Sequence, residues 1–180
     1  DMGSLKEQLR KLLPAPLLSL YHLSLAWLSA ATYGHPSKKI TVIGVTGTKG
    51  KTTVTEMLSV IFEEAGQKTA LLNSIRVKVA ERAEENALRM SMPGRFFIQR
   101  FLDEAVHANC KVAILEMTSE GARQHRHRFV ELNALVFTNL EPEHIESHGS
   151  YQAYADAKFE IGRALAHSSK RPRIVVANTD

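Results

Sequence analysis

Apolar residues along this chain change rhythm several times, and each change marks an element. From Leu12 to Ser37 no Asp, Glu, Lys or Arg occurs. Pro14 and Pro16 interrupt the start of that stretch, so the pattern predicts a short apolar helix over residues 17–33. On a helix Ser19, His22, Ala26, Ser29 and Tyr33 would fall on one stripe. Three fates suit such a helix: spanning a membrane at the low end of the required length, lying on a membrane or partner, or packing on its own domain.

Beyond Gly-His-Pro-Ser-Lys-Lys, strand and helix patterns alternate. Residues 40–45 (ITVIGV) read as a buried strand. Residues 51–66 read as a helix with Val54, Met57, Leu58, Ile61 and Phe62 as its apolar positions, stopped by Gly66. Strand patterns recur at 68–72, 111–117, 134–140 and 173–178, and helical ones at 95–108 and 150–167. Residues 74–90 are polar and irregular in pattern. This alternation predicts an α/β fold, a mostly parallel sheet with flanking helices and right-handed crossovers. Two regions follow: a short apolar helical segment within residues 1–38, and an α/β domain over 39–180. The opening Asp-Met-Gly-Ser reads as a cloning remnant and is set aside.

Composition adds little beyond limits. The 180 residues suffice for one well-buried domain. A net charge of +4 is too mild to argue for nucleic acid and suits anionic ligands equally well. The single cysteine, Cys110, allows no internal disulfide and fits a reducing cytosol.

The candidate chemistry sits between the first strand and the next helix. Gly44, Gly47 and Gly50 precede Lys51-Thr52-Thr53. The common phosphate loop G-x-x-x-x-G-K-[ST] needs a glycine where this chain has Val45. The strand–loop–helix context still suits phosphate. Backbone N–H groups of Gly47, Thr48, Lys49, Gly50, Lys51 and Thr52 would face an anion at a helix N-terminus. Lys51 would neutralise the β/γ-phosphates of ATP, and the Thr52 hydroxyl would ligate Mg²⁺. Glu116 ends an apolar strand, where an α/β sheet opens onto its ligand crevice, so its carboxylate can hold the same Mg²⁺.

The loop T-G-T-K-G-K-T-T resembles that of the Mur ligase family, T-G-T-x-G-K-[ST], which folylpolyglutamate synthases and cyanophycin synthetases share. Further stretches carry the resemblance toward the family's tripeptide-synthetase branch. Glu116-Met117-Thr118-Ser119-Glu120 is similar to E-V-S-S-H, with Glu120 in place of histidine. Gln124-His125-Arg126 matches Q-x-R. Phe137-Thr138-Asn139-Leu140 opens a run similar to F-T-N-L-x-x-D-H-x-x-x-H-G-x-x-x-x-Y-x-x-A-K, in which Asn139, His144, His148, Gly149, Tyr154, Ala157 and Lys158 match and Glu143 replaces Asp. Met90-Ser91-Met92-Pro93 corresponds to M-T-T-P, with Ser91 able to replace the first threonine as a hydroxyl donor and Met92 unable to replace the second.

The resemblance implies the ATP-binding central domain of a P-loop-like ligase over roughly 39–180. ATP would lie along Gly47–Thr53, with Asn139 and Asn178 near it. Mg²⁺ ions would be held by Thr52, Glu116, His144 and Lys158, the lysine this family carbamylates with CO₂. Ser91, Ser119, Gln124 and Arg126 would hold a muramoyl-peptide substrate, to which an amino acid is joined during peptidoglycan synthesis. A zinc site from His125, His127, His144 and His148 is the weaker use of the histidines. Two rivals keep their place: a related ligase acting on a lipid-linked muropeptide or poly-glutamate, and a nucleotide-binding module without turnover. The family's uridine-binding domain is longer than the segment before the first strand, and Val175-Val176-Ala177-Asn178-Thr179-Asp180 resembles an N-x-D-D stretch midway through the central domain. The chain therefore reads as part of a longer cytoplasmic ligase, inactive alone, with peripheral membrane contact through 17–33 open.

Overall fold

The computed structural model describes residues 14–141 and 149–178. Its centre is a seven-stranded sheet in the order β4-β3-β2-β5-β1-β6-β7. The strands are β1 (Thr41–Thr46), β2 (Thr69–Leu72), β3 (Arg76–Val79), β4 (Arg82–Glu85), β5 (Val112–Glu116), β6 (Ala134–Phe137) and β7 (Ile174–Ala177). The stretch from β2 through β5, β1 and β6 to β7 is parallel, and β3 and β4 add an antiparallel hairpin at one edge.

Helices cover both faces, as the near-continuous apolar character of the central strands requires. Ile43 and Val45 of β1 point toward α2 (Lys51–Glu64) and pack with Leu71, Ile114, Val54, Leu58 and Phe62. Val42 points the other way, into a larger core with Leu102 of α3 (Arg95–His107) and Ile161 of α5 (Tyr151–Ala166). A short α4 (Ser119–Arg123) follows β5. The apolar N-terminal stretch forms α1 (Ala15–Thr32), which packs against α3. Its inward face is the small and polar stripe: Ala26, Ser29 and Ala30 are buried. No described helix is long and apolar enough to cross a membrane.

Two expectations need correction, and one short element had no forecast. Residues 74–90 are not irregular: they hold the β3–β4 hairpin, in register with β2 through Leu72↔Val77 and Ala70↔Val79. The turn into it is made by Asn73, whose Oδ1 accepts the N–H groups of Ile75 and Arg76 at 3.0 and 2.7 Å. Met57 and Ile61 do not face the sheet; both are about 60% exposed. Thr55 and Ser59 take those inward places, because the adjoining surface is polar: Asn73 donates to Thr55, and Ser59 meets the Thr69 hydroxyl. The α4 turn escaped the pattern because five residues are too few to show a period.

One buried group makes stability depend on pH. His127 is 1% exposed, and neither ring nitrogen has a hydrogen-bond partner. Burial, then the neighbouring charges of Arg128 and His125, push it down to about 3. Its unfolded value is about 6.5, so below that pH the unfolded chain takes up a proton that the native chain refuses. Stability therefore falls as pH drops from about 6.5 toward 3, by roughly 2 kcal/mol at pH 5. Urea midpoints at pH 7 and pH 5 check this: His127→Leu should lose less over the interval than the wild type, and equal losses would contradict it.

Candidate active site

The loop between β1 and α2 is shaped by two glycines with different duties. Gly50 has φ +77° at the N-cap of α2, a conformation in which other residues are strained. Gly47 has φ +148°, and a Cβ there would meet Thr138 Oγ1 at 1.9 Å and the Asn139 backbone at 3.1 Å. The loop thus lies directly against the end of β6. Val45 is still within β1, fully buried and paired with Glu116, which is why no glycine is needed there. The working loop is Gly47–Gly50.

Asn139 holds that loop. Its Oδ1 accepts from the N–H of Thr48 at 3.0 Å and of Lys49 at 2.9 Å. Its backbone carbonyl accepts from Thr48 N at 3.1 Å. The Thr48 hydroxyl meets the Tyr154 hydroxyl at 2.9 Å and accepts from Glu141 N at 2.9 Å. Lys49 extends to an ion pair with Glu141 at 2.7 Å, both side chains about half exposed. Lys51 folds back over the loop, donating to the carbonyls of Gly47 at 3.1 Å and Thr48 at 2.8 Å. Thr53 sits exposed on the first turn of α2.

Glu116 gathers the rest. It is 3% exposed at the end of β5. Thr52 Oγ1 donates to its Oε2 at 2.9 Å, Ser74 N donates to the same oxygen at 3.2 Å, and Ser91 Oγ donates to Oε1 at 2.6 Å. A buried carboxylate requires such donors. The Thr52 and Glu116 oxygens, 2.9 Å apart, are of the hard type that Mg²⁺ takes as ligands, so this pair could hold such an ion. Ser74 has no local sequence signal; the adjacency of β2 and β5 brings it there.

Lys158 is 2% exposed on α5. Its Nζ donates to the Gly47 carbonyl and lies 4.6 Å from the centre of the Tyr154 ring. The structure therefore brings Lys158 to the glycine loop. Asn178 follows β7, where its N–H donates to the Phe137 carbonyl at 3.0 Å. His144 and His148 lie outside the described residues. Of the other two histidines, His125 Nε2 meets Ser19 Oγ at 2.7 Å, and His127 is buried. Among the described residues no three His, Cys, Asp or Glu side chains converge in a metal-binding group.

Beside Glu116 opens a cavity of about 510 Å³, lined by all four expected substrate residues, Ser91, Ser119, Gln124 and Arg126, together with Arg89 and Glu120. Arg126 donates to the Met92 carbonyl and to Gln124 Oε1, the latter at 2.7 Å, so its planar fork is held in place. Gln124 in turn donates to Glu120 at 2.6 Å. Met92 is buried; its sulfur accepts from Thr118 N at 3.4 Å and occupies the space a Cβ on Gly121 would need. Met92 thus lines the cavity with a thioether in place of a hydroxyl at its own position.

A family model described as the Mur ligase middle domain matches residues 45–180. A UDP-N-acetylmuramyl-tripeptide synthetase of Roseiflexus sp. (strain RS-1) is 36% identical over 177 residues, covering 93% of this chain and 35% of that protein. A UDP-N-acetylmuramoyl-L-alanyl-D-glutamate--2,6-diaminopimelate ligase of Geobacillus kaustophilus (strain HTA426) is 32% identical over 169 residues, covering 93% and 34%. Among solved structures, a Mycobacterium tuberculosis folylpolyglutamate synthase complexed with ADP and AMPPCP gives a TM-score of 0.66 at 15% identity, over 86% of this chain and 41% of that one. At that identity the likeness speaks for the fold. The chain spans about a third of the length of the curated relatives it matches. A glycine loop held against β6, a strand-end glutamate facing it and a matched family model lead to one conclusion: the chain belongs to the Mur ligase middle-domain family.

Proposed function

We propose that this chain forms the ATP-handling part of a cytoplasmic ligase that joins an amino acid to a muramoyl-peptide precursor in peptidoglycan synthesis. The observation that carries the reading is the Thr52–Glu116 contact of 2.9 Å at the mouth of the glycine loop, with the Arg126 cavity alongside. ATP phosphates would rest on the N–H groups of Gly50 and the start of α2, those of Thr48 and Lys49 being bound to Asn139, with Lys51 turning from the Gly47 and Thr48 carbonyls to the β/γ-phosphates. Asn139 contributes by fixing the loop, and Asn178 lies toward the adenine. Ser119, Gln124 and Arg126 hold the muramoyl peptide, with Ser91 shared between that cavity and Glu116.

The substrate carboxylate attacks the γ-phosphorus, forming an acyl phosphate and releasing ADP. The amine of the incoming amino acid then attacks the acyl carbon, and phosphate leaves as the amide forms. Mg²⁺ bound by Thr52 and Glu116, with His144 and carbamylated Lys158 as further ligands, would neutralise charge on the transferring phosphoryl group. The protein's own part is positioning and preorganised charge, the main help available to phosphoryl transfer.

Glu116→Gln keeps the shape and removes the charge. In the ligase containing this chain it should lower ATP-dependent incorporation of amino acid into UDP-linked muramoyl dipeptide by roughly 10²-fold or more. ATP turnover with no amide formed by the wild type with any amino acid would overturn the ligase reading. A second reading, a lipid-linked muropeptide as substrate, is favoured by the uncharged exposed face of α1.

A further inference from the structure

Helix α1 is built inside out. A helix on a soluble domain turns its large apolar residues inward and its polar ones to water. Here the small residues Ala26, Ser29 and Ala30 are buried, whereas Leu17, Leu20, Tyr21, Trp27 and Leu28 are 47–61% exposed. Their spacing places them on one helical face. Ser24, on the same face, donates its hydroxyl to the Tyr21 carbonyl at 2.9 Å. No charged side chain occurs from Leu12 to Ser37.

This orientation is locked. Ser19 Oγ meets His125 Nε2 at 2.7 Å, and Arg95 Nη2 meets His22 Nδ1 at 2.6 Å. Rolling the apolar face inward would break both contacts and bring Leu and Trp side chains where alanine and serine now pack. An apolar face held outward in this way is the kind of surface that marks an interaction site.

We propose that this face docks on an anionic lipid surface, with α1 lying in the interface. Tyr21 and Trp27 are the residue types that settle where hydrocarbon meets water. The charged residues nearest α1 in sequence are all basic: Arg10 and Lys11 before it, Lys38 and Lys39 after it. Lys38 and Lys39 are exposed in the 3₁₀ turn that follows α1. An uncharged apolar face with cations flanking it in sequence complements an anionic headgroup layer. The inward contacts of α1 reach His125 and Arg95, and Arg95 also donates to the Gln124 carbonyl. Docking would therefore tether the domain that carries the Gln124–Arg126 cavity to the lipid surface, in which a lipid-linked muropeptide would be anchored. That last clause rests on the ligase reading; the docking does not.

Trp27 is the sole tryptophan, so its emission reports on this face. The 180-residue chain is mixed with vesicles of phosphatidylglycerol and phosphatidylcholine, or of phosphatidylcholine alone. The anionic vesicles should carry the chain down on sedimentation, shift Trp27 emission to the blue, and quench it when brominated acyl chains are used. A Leu17→Glu/Leu20→Glu/Leu28→Glu variant, checked for its fold by circular dichroism, should bind at least about tenfold more weakly. Unchanged emission with all protein in the supernatant overturns the proposal. So does full binding by the triple variant, which would assign the attraction to charge alone. A blue shift that grows with protein concentration without vesicles, together with a dimer on analytical sedimentation, would assign the face to a second copy and also overturn it. In the ligase itself, docking accompanied by ligation of a UDP-linked muropeptide and none of a lipid-linked one would overturn only the substrate clause. Docking with no ligation of either would overturn the ligase reading and leave the docking standing.

Discussion

Replacing Lys51 by alanine is expected, on the proposed ligase reading, to lower ATP turnover on the order of 10²-fold or more. The reason is positional. Lys51 opens α2, directly after Gly50, and its ammonium already sits over the loop on the Gly47 and Thr48 carbonyls. It needs only to exchange those carbonyls for phosphate oxygens, so little reorganisation is required when charge develops. Asn139 still holds the loop in shape in the variant, and the N–H groups at the start of α2 remain, so binding of ADP should weaken less than turnover does. The side chain is only half-buried and the loop has its own supports, so thermal melting should shift little. Steady-state phosphate release measured beside calorimetric ADP binding checks both halves. Near-wild-type turnover would mean that the glycine loop is not where ATP reacts.

Lys158→Ala should remove most ligation, by a comparable factor, and the manner of its rescue identifies the lysine's role. A lysine amine has an unperturbed pKa of about 10.4 and is a cation at neutral pH. Unmodified, Lys158 suits what is seen: a donor to the Gly47 carbonyl beside the Tyr154 ring. A cation does not suit a Mg²⁺ site. Reaction of the neutral amine with CO₂ gives a carbamate and releases one proton, replacing the positive charge by an anionic oxygen ligand of the kind Mg²⁺ prefers. If that is its role, acetate or formate should partly restore the alanine variant, and bicarbonate should raise wild-type activity after CO₂ is stripped. If the lysine only ties α5 to the loop, neither addition will help and nucleotide binding will fall together with ligation. Full activity of the alanine variant would exclude both roles.

How far these features could be read from the chain depends on how local their causes are. β1, the loop and α2 were legible because Gly47, Gly50, Lys51 and Thr52 lie within six consecutive residues. Glu116 was legible because a strand end in an α/β sheet opens onto the crevice. The Ser91, Ser119, Gln124 and Arg126 group was legible through motif resemblance, and the structure places all four around one cavity. Ser74 was not legible, because its approach to Glu116 depends on β2 lying next to β5. The bracing of Thr48 by Asn139 and Tyr154 was hidden for the same reason. In α1 the stripe of Ser19, His22, Ala26 and Ser29 was visible. Which side faces inward was decided by Arg95 and His125, far along the chain. Met57 and Ile61 misled because hydrophobicity alone cannot register that Thr55 and Ser59 meet polar groups of β2 and Asn73.

The bond from Thr48 to Asn139 joins residues 91 positions apart. The glycine loop consequently takes its shape from the end of β6 and depends on β1 lying beside that strand. Contacts of such long range close late and slow folding. The loop's geometry is thus a report on the β1–β6 pairing, and the nucleotide affinity proposed for it would gauge that pairing. By mass action the dependence runs both ways: a nucleotide held by this loop binds only the threaded state and draws the chain toward it. Refolding followed by recovery of nucleotide binding should lag behind recovery of helical signal, and saturating ADP should slow unfolding even when the destabilising change lies at β6.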